Sequence, residues 1–348
     1  MVDQQMTPVI ATDTDSSPTS VERGRSITMG IWLALLTAAA FGTSGVIAKP
    51  LLDAGWSPGT TVTMRLSGAA LALTLPALIV LRGRWHLLTR NAGLIIGYGL
   101  LAMAACQVFY FNAVTTLSVG VALLLEYLGP VLVVAWLWMR HGHRPRRWTM
   151  IGILLSIIGL ALVLDVTGGM SLDFGGVLWG LGAAVGLAAY FVLSAREDTG
   201  MPPIVMAWSG MVVASLALLV TGLVGILPMQ TGATQVAFLG SSMPWFVPVA
   251  WLALVAAALA YATGIVATRK LGSKIASFFG LTEVMFAVVF AWLFLGEMPL
   301  RVQLVGGLLI VAGVVAVRYD EGRPLPESHP GYVSPLAVAP VAGSESVA

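Results

Sequence analysis

The 348-residue chain is 58% hydrophobic and only 10% charged, with a formal net charge of +2. A soluble domain carries about 25% charged residues, so this chain cannot cover a water-facing surface and lipid must be its main solvent. That excludes a soluble enzyme, and basic residues confined to short segments give no footing for nucleic acid.

Residues 1–27 are polar, rich in Asp, Ser and Thr, and are expected to form a disordered tail. Ten apolar runs follow, at about 29–48, 59–81, 93–115, 118–139, 148–166, 174–194, 204–226, 245–267, 275–295 and 301–318. Each approaches the roughly 20 residues that cross about 30 Å of hydrocarbon as a helix. Runs three and four are separated only around Leu117-Ser118, which predicts a tight helical hairpin. The longest break, 227–244, is rich in Gly, Ser, Thr and Gln and carries no charge. Residues 319–348 lack a long apolar run and read as a second disordered tail.

The block 118–165 recurs at about 273–320. Val133-Val134-Ala135-Trp136-Leu137 lies over Val289-Phe290-Ala291-Trp292-Leu293, and Gly152 and Gly159 lie over Gly306 and Gly313. The polar breaks inside the two copies differ. One is Arg140-His141-Gly142-His143-Arg144-Pro145-Arg146-Arg147; the other is Gly296-Glu297-Met298-Pro299-Leu300-Arg301. A basic loop in one copy and a near-neutral loop in the other places them on opposite sides of the bilayer. Two copies of five spans, 28–166 and 174–318, give such an inversion, because an odd number of spans makes the second copy enter from the other side. The expected fold is therefore an all-α integral membrane protein of ten transmembrane helices in two inverted five-helix repeats.

Of the 18 Lys and Arg residues, only Lys49 and Arg301 fall in outer segments when both termini are cytoplasmic, and Arg65 falls within a span. The opposite orientation reverses this bias, so both termini are expected in the cytoplasm.

No G-x-x-x-x-G-K-[ST] phosphate loop occurs, so this chain encodes no ATP-driven motor. Its four histidines, His86, His141, His143 and His329, lie in loops or a tail, leaving no intramembrane base or metal ligand. His141 and His143 have metal-like spacing but sit among arginines, so no metal site and no cofactor are expected. Cys106 is the single cysteine and cannot form an internal disulfide.

Ionisable groups inside a span cost roughly 2.5–3.5 kcal/mol each on insertion scales, and so mark candidate sites. Arg65 lies ~9 Å into the second run. It is either a cation for a substrate carboxylate or a membrane acid, or a side chain reaching back to the headgroups. Glu126 is ~12 Å deep in the fourth run. Pro130, four residues on, clashes with the Glu126 carbonyl and removes its hydrogen bond. Glu283 falls within one position of Glu126 when the copies are overlaid. Two such acids meet near the midplane, where inverted repeats place their binding sites. Each acid is alternatively a structural, protonated group bonded to a neighbouring helix. Lys274 reads as an anchor at the cytoplasmic face. In the third run, Gln107 and Tyr110 share a helical face, while Asn112 lies off it. They fit hydrogen bonds to substrate or between helices equally well. Tyr261 and Thr263 echo them faintly. Gly42-Thr43-Ser44-Gly45 and the Gly176, Gly180, Gly182 and Gly186 series permit close helix approach.

These residues resemble a known family. The ten runs, the duplication, Ala-Trp-Leu-Phe-Leu-Gly-Glu-Met at 291–298 and Gly-Gly-Leu-Leu-Ile-Val-Ala-Gly-Val at 306–314 are similar to EamA-type transporters of the drug/metabolite transporter superfamily. The basic segment 267–273 matches the turn usually seen after the eighth span of that family. The resemblance implies a bacterial inner-membrane exporter of amino acids, other small metabolites or drugs, working by alternating access. Where the family often carries proline after the polar residue of span nine, this chain has Val284.

The reading is thus a secondary exporter and not an enzyme, with a small-molecule substrate and the lipid bilayer as partners. Arg65, Gln107, Tyr110, Glu126 and Glu283 form its substrate and proton site. Uniport fits the sequence as well as proton exchange. A non-transporting membrane receptor or scaffold is the alternative from another class. Substrate identity and oligomeric state are not encoded in any of these features.

Overall fold

The computed structural model describes residues 20–129, 131, 147–163, 173–194 and 199–321. The chain is predominantly helical. Helix α1 spans Ser20–Asp53 and α2 spans Pro58–Leu81. A short α3 at His86–Arg90 leads into α4, Ala92–Thr116, whose stretch Tyr98–Ala105 is π-helical. Then come α5 at Val119–Glu126, α6 at Arg147–Val163, α7 at Phe174–Ser194 and α8 at Pro203–Leu223. Helix α9 runs unbroken from Phe246–Ala253 through the π-helical Leu254–Leu259 to Ala260–Gly280. Helix α10 spans Thr282–Leu295, ending in the π-helical Ala291–Leu295, and α11 spans Arg301–Glu321.

Five of these helices are long and apolar enough to cross a membrane: Ile27–Asp53, Pro58–Leu81, Ala92–Thr116, Pro203–Leu223 and Phe246–Leu271. Shorter apolar helices occupy Met150–Val163, Phe174–Tyr190, Thr282–Leu295 and Arg301–Ala316. The second part of the fourth run, with Pro130 and Trp136, and the His141–His143 loop lie outside the described residues.

Local chemistry explains several ends. Ser57 caps α2, its hydroxyl accepting the Thr60 N–H at 3.2 Å, and Pro58 occupies the first helical position. Ser118 caps α5 through the Val121 N–H at 3.4 Å, so the junction at Leu117-Ser118 is as tight as its length predicts.

Three boundaries differ from the expectation. Helix α1 begins at Ser20 and α11 continues to Glu321, so helical backbone enters both segments read as tails. The basic segment 267–273 is helical rather than a turn, and the chain breaks later, at Leu281. Charge alone does not end a helix, since Arg and Lys are good helix formers. Arg269 instead reaches across to the Met201 carbonyl at 2.6 Å. The uncharged break 227–244 also holds a two-stranded hairpin, Gln235–Phe238 against Ser241–Pro244. Leu239 (φ 52°) and Gly240 (φ 75°) turn it, the left-handed pair of a two-residue hairpin loop.

Packing follows the duplication. Helix α1, the first of copy one, packs on α9 and α10, the third and fourth apolar runs of copy two. Helix α7, the first of copy two, packs on α4 and α5, the third and fourth of copy one. The second helices, α2 and α8, pack on each other, as do the last, α6 and α11. The α6–α11 contact is self-complementary. A Cβ on Gly159 would stand 2.6 Å from the Gly306 carbonyl oxygen, and one on Gly313 would stand 2.6 Å from that of Gly152. Gly306 corresponds to Gly152 and Gly313 to Gly159, so each contact is the image of the other, as a two-fold relation requires.

The outward faces are apolar. Leu71 (76% exposed), Leu75 and Ile79 of α2, Leu219 and Leu223 of α8, and Leu304 and Leu308 of α11 point away from the protein. Faces of this extent are abnormal in water and suited to lipid.

Candidate functional site

Several polar side chains that the helices bury meet across the two copies. Arg65 of α2 is fully buried, with 0% exposure, so it does not reach for the headgroups. Its Nη1 donates to Ser44 Oγ of α1 at 2.7 Å and to Gln107 Oε1 of α4. Its Nη2 donates to the Ala256 carbonyl at 2.6 Å, from α9 in the other copy. The Phe111 ring covers the guanidinium, with its centroid 5.6 Å from Cζ.

The Ala256 carbonyl lies in the π-helical stretch Leu254–Leu259, and π-turns inside helices are frequent at functional sites. The corresponding run of copy one carries its own π-stretch, Tyr98–Ala105, just before Cys106-Gln107. Neither stretch contains proline, and sequence periodicity gave no sign of them.

Glu126 is buried at the last position of α5. The helix stops there, and Tyr127 and Leu128 form a turn, with Pro130 two positions further along the sequence. The Cys106 thiol donates to Glu126 Oε1 at 3.2 Å. Glu283 lies in the first turn of α10, directly after the break at Leu281. A carboxylate there meets the positive end of the helix dipole. The Tyr127 hydroxyl is 2.8 Å from both Glu283 Oε2 and the Gly280 carbonyl. Both acids therefore stand at interruptions of their helices, and the departure at Val284 does not remove the second interruption.

The chain links these groups pairwise. Gln107 holds Arg65 and its neighbour Cys106 holds Glu126. Tyr127, next to Glu126, holds Glu283. Tyr110 is buried, with its hydroxyl against Gly45 of α1, one residue from Ser44. Asn112 is spent locally on the Val108 carbonyl at 2.7 Å. Ser44, Cys106, Tyr127 and the Ala256 carbonyl are site groups that the sequence did not single out for chemistry. For Cys106 and Tyr127 the available signal was adjacency to Gln107 and Glu126. Nothing marked Ala256.

Aromatic rings pair between helices. Phe41 and Tyr261 meet edge-on at 4.9 Å, and Tyr190 lies 5.9 Å from Tyr98 and 6.2 Å from Tyr261. At the far ends of α1 and α10, Lys49 Nζ is 3.6 Å from Glu297 Oε1. Glu297 Oε2 accepts the Val119 N–H at 3.0 Å, and Lys49 donates to the Val114 carbonyl at 3.3 Å. Among the described residues no three metal-ligating side chains gather.

The sequence profile of the EamA-like transporter family matches this chain twice, over residues 28–165 and 174–319. The chain belongs to the EamA-like transporter family. It is similar to an uncharacterized inner membrane transporter, YicL, of Salmonella typhimurium, at 23% identity over 84% of this chain and 96% of the relative. A probable terminal-alkyne amino-acid exporter of Streptantibioticus cattleyicolor is 27% identical over 88% of this chain and 99% of its own length. The threonine/homoserine exporter RhtA of Salmonella typhimurium is 26% identical over 83% and 92%. A solved crystal structure superposes with a TM-score of 0.54 at 21% identity, covering 84% of this chain and 96% of the other, and shows the fold alone. Family membership and the apolar helices make this a multi-pass membrane transporter.

Proposed function

We propose that this chain exports a small organic metabolite, an amino acid or related compound, or a drug, across the inner membrane by alternating access. In this reading ten spans form two inverted five-helix repeats with both termini in the cytoplasm. Arg65, Gln107, Tyr110, Glu126 and Glu283 make up the substrate and proton site. One observation carries it: Arg65 ties α1, α2 and α4 to α9 of the other copy, beside two acids that sit at helix breaks. Interrupted helices at the interface of repeats are where secondary transporters bind substrate and coupling ions. The two relatives named as amino-acid exporters support the direction and the kind of cargo.

Glu126 and Glu283 are the groups that load and release a proton as each side opens. A carboxylate in hydrocarbon is costly unless neutralised, so the proton and the substrate compete to neutralise the same site.

The test is uptake of radiolabelled amino acids, their analogues and cationic drugs into inverted membrane vesicles, with and without an imposed pH gradient. Gradient-driven accumulation that vanishes in Glu126→Gln or Glu283→Gln supports the reading. Accumulation unchanged in the double Gln variant removes both acids from proton coupling. A well-inserted protein that moves none of the compounds points instead to a receptor or scaffold.

A further inference from the structure

Tyr127 joins the two interrupted helices through one oxygen atom. It lies at the break that ends α5. Its hydroxyl stands 2.8 Å from the Gly280 carbonyl and 2.8 Å from Glu283 Oε2, on either side of the break between α9 and α10. Both are full hydrogen-bond distances for an O–H group. A tyrosine hydroxyl has one proton to give, and a carbonyl can only accept. If Glu283 is ionised it too can only accept, and one of the two contacts then sets oxygen against oxygen with no proton between. If Glu283 carries a proton, it donates to the hydroxyl, the hydroxyl donates to Gly280, and both contacts are bonds. Gly280 is the last residue of α9, where a carbonyl has no partner inside the helix. The first turn of α10 offers an ionised Glu283 an alternative, since its N–H groups and the helix dipole favour an anion.

Resting on the reading above that Glu283 carries a proton, we infer that Tyr127 is a positioning residue that reads that proton. It latches the break of copy one to the break of copy two while Glu283 is neutral, and releases Gly280 when Glu283 ionises. On ionisation the hydroxyl turns its single proton to the carboxylate, and the Gly280 carbonyl loses its donor. The end of α9 is then freed from the end of α5, and the chain can bend at Leu281. Other groups act on Glu283 as well. Glu126, one residue before Tyr127, and Arg65 of α2 add their charges. From α1, Gly42 lies against the Glu283 backbone carbonyl, and Lys49 pairs with Glu297 at the far end. From α9, Arg269 donates to the Met201 carbonyl. The Cys106 thiol is spent on Glu126. The latch therefore gives the two acids different tasks: Glu283 works the joint between the copies, and Glu126 does not.

The experiment is hydrogen–deuterium exchange of the purified full chain in detergent between pH ~5 and pH ~9, each rate divided by the intrinsic rate at that pH. The readout is the peptide across the break, residues 279–286. In the native chain its exchange rises with pH, about fivefold for the loss of one net hydrogen bond. Tyr127→Phe keeps the ring and removes the hydroxyl, so exchange there is fast at every pH. Glu283→Gln keeps a donor and cannot ionise, so exchange is slow at every pH, and adding Tyr127→Phe restores the fast rate. A tyrosine that only fills space would leave the native pH dependence in place when its hydroxyl is removed. A pH dependence that survives in Tyr127→Phe or in Glu283→Gln overturns the latch, as does its loss in Glu126→Gln alone or its absence from the native chain. If Tyr127→Phe does not fold, the native chain still decides. The peptide that holds Tyr127 must follow the same pH course as the break, because a latch has two ends, and a different course overturns it. Transport is read separately, as uptake into inverted vesicles. A native pH profile of uptake in Tyr127→Phe overturns the latch and leaves the transporter standing. The expected exchange pattern in a chain that moves no compound overturns the exporter and leaves the latch.

Discussion

Arg65 concentrates the energetic risk of this molecule in one side chain. It is wholly buried, and three of its five donors are satisfied by groups on three different helices. Removing one acceptor leaves a buried, charged donor unpaired, which costs about 1–3 kcal/mol or more. Gln107→Leu is therefore expected to lower the unfolding midpoint in detergent, whereas Gln107→Glu, which keeps an acceptor and adds a counter-charge, is expected to keep it. Equal midpoints for Gln107→Leu and the native chain rule out the structural half of this argument. Cost was the signal that made Arg65, Glu126 and Glu283 legible in the sequence, because charge within an apolar run is conspicuous. The partners were not legible for the opposite reason. Ser44 and Cys106 are ordinary inside a helix, and a backbone carbonyl has no letter of its own.

Two element-level contacts make separate predictions. At the α6–α11 crossing, Gly159 and Gly306 each present their backbone to the other, with 2.6 Å from either imagined Cβ to the opposing carbonyl oxygen. A methyl group there must push the helices apart. Gly306→Ala and Gly159→Ala are each expected to cost about 1–3 kcal/mol, the usual penalty of overpacking. Gly93→Ala, which meets nothing within 4 Å, serves as the control in the same melting experiment. At the start of α7, Asp173 accepts the Gly175 and Gly176 N–H groups at 3.2 and 3.1 Å. The Thr116 hydroxyl, and then these N–H groups, hold its carboxyl below the ordinary range against an opposing effect of burial. A depressed folded value means that its stabilisation is present above the unfolded value, about 3.9, and is lost as pH falls through the folded one. Thermal melts from neutral pH to pH ~3 should show native stability falling in this acid window, with a shallower fall in Asp173→Asn. Parallel curves for the two proteins would remove Asp173 from the acid response. The helices themselves were readable because run length and hydrophobicity set them. The π-stretches at Tyr98–Ala105 and Leu254–Leu259 were not, since no residue type demands them.

At the scale of the whole molecule, Lys49, Glu297 and the N-terminus of α5 join the two copies at one end of the bundle. In the alternating-access reading proposed above, with that end outermost, this contact must break whenever the outer side opens. The pair is partly exposed, at 22% and 20%, so the ion pair itself contributes little to stability, about 0–1 kcal/mol. Glu297→Gln keeps an acceptor for the Val119 N–H and should fold normally while changing the rate of transport. Glu297→Ala leaves that N–H without its partner and should affect both. A transport rate indifferent to both substitutions excludes the contact from the cycle. Orientation is checked with single cysteines in a Cys106→Ser background. Thr231→Cys in the exposed segment before the hairpin is expected to react with an impermeant maleimide added to intact cells, and Arg84→Cys only after permeabilisation. The reverse pattern inverts the topology.

The sequence by itself determined the solvent, the duplication, the helical content and which charged residues were worth watching. Each of these is a sum over many residues or a single conspicuous exception, so neither depends on knowing neighbours. The tertiary structure decided which groups meet. Only packing the first helix of each copy against the third and fourth of the other brings Ser44, Arg65, Gln107 and the Ala256 carbonyl to one point. Across the breaks at Tyr127 and Leu281, Tyr127, the neighbour of Glu126, meets Glu283. Those meetings depend on distances between residues as much as 191 positions apart, and no local pattern of letters encodes such distances.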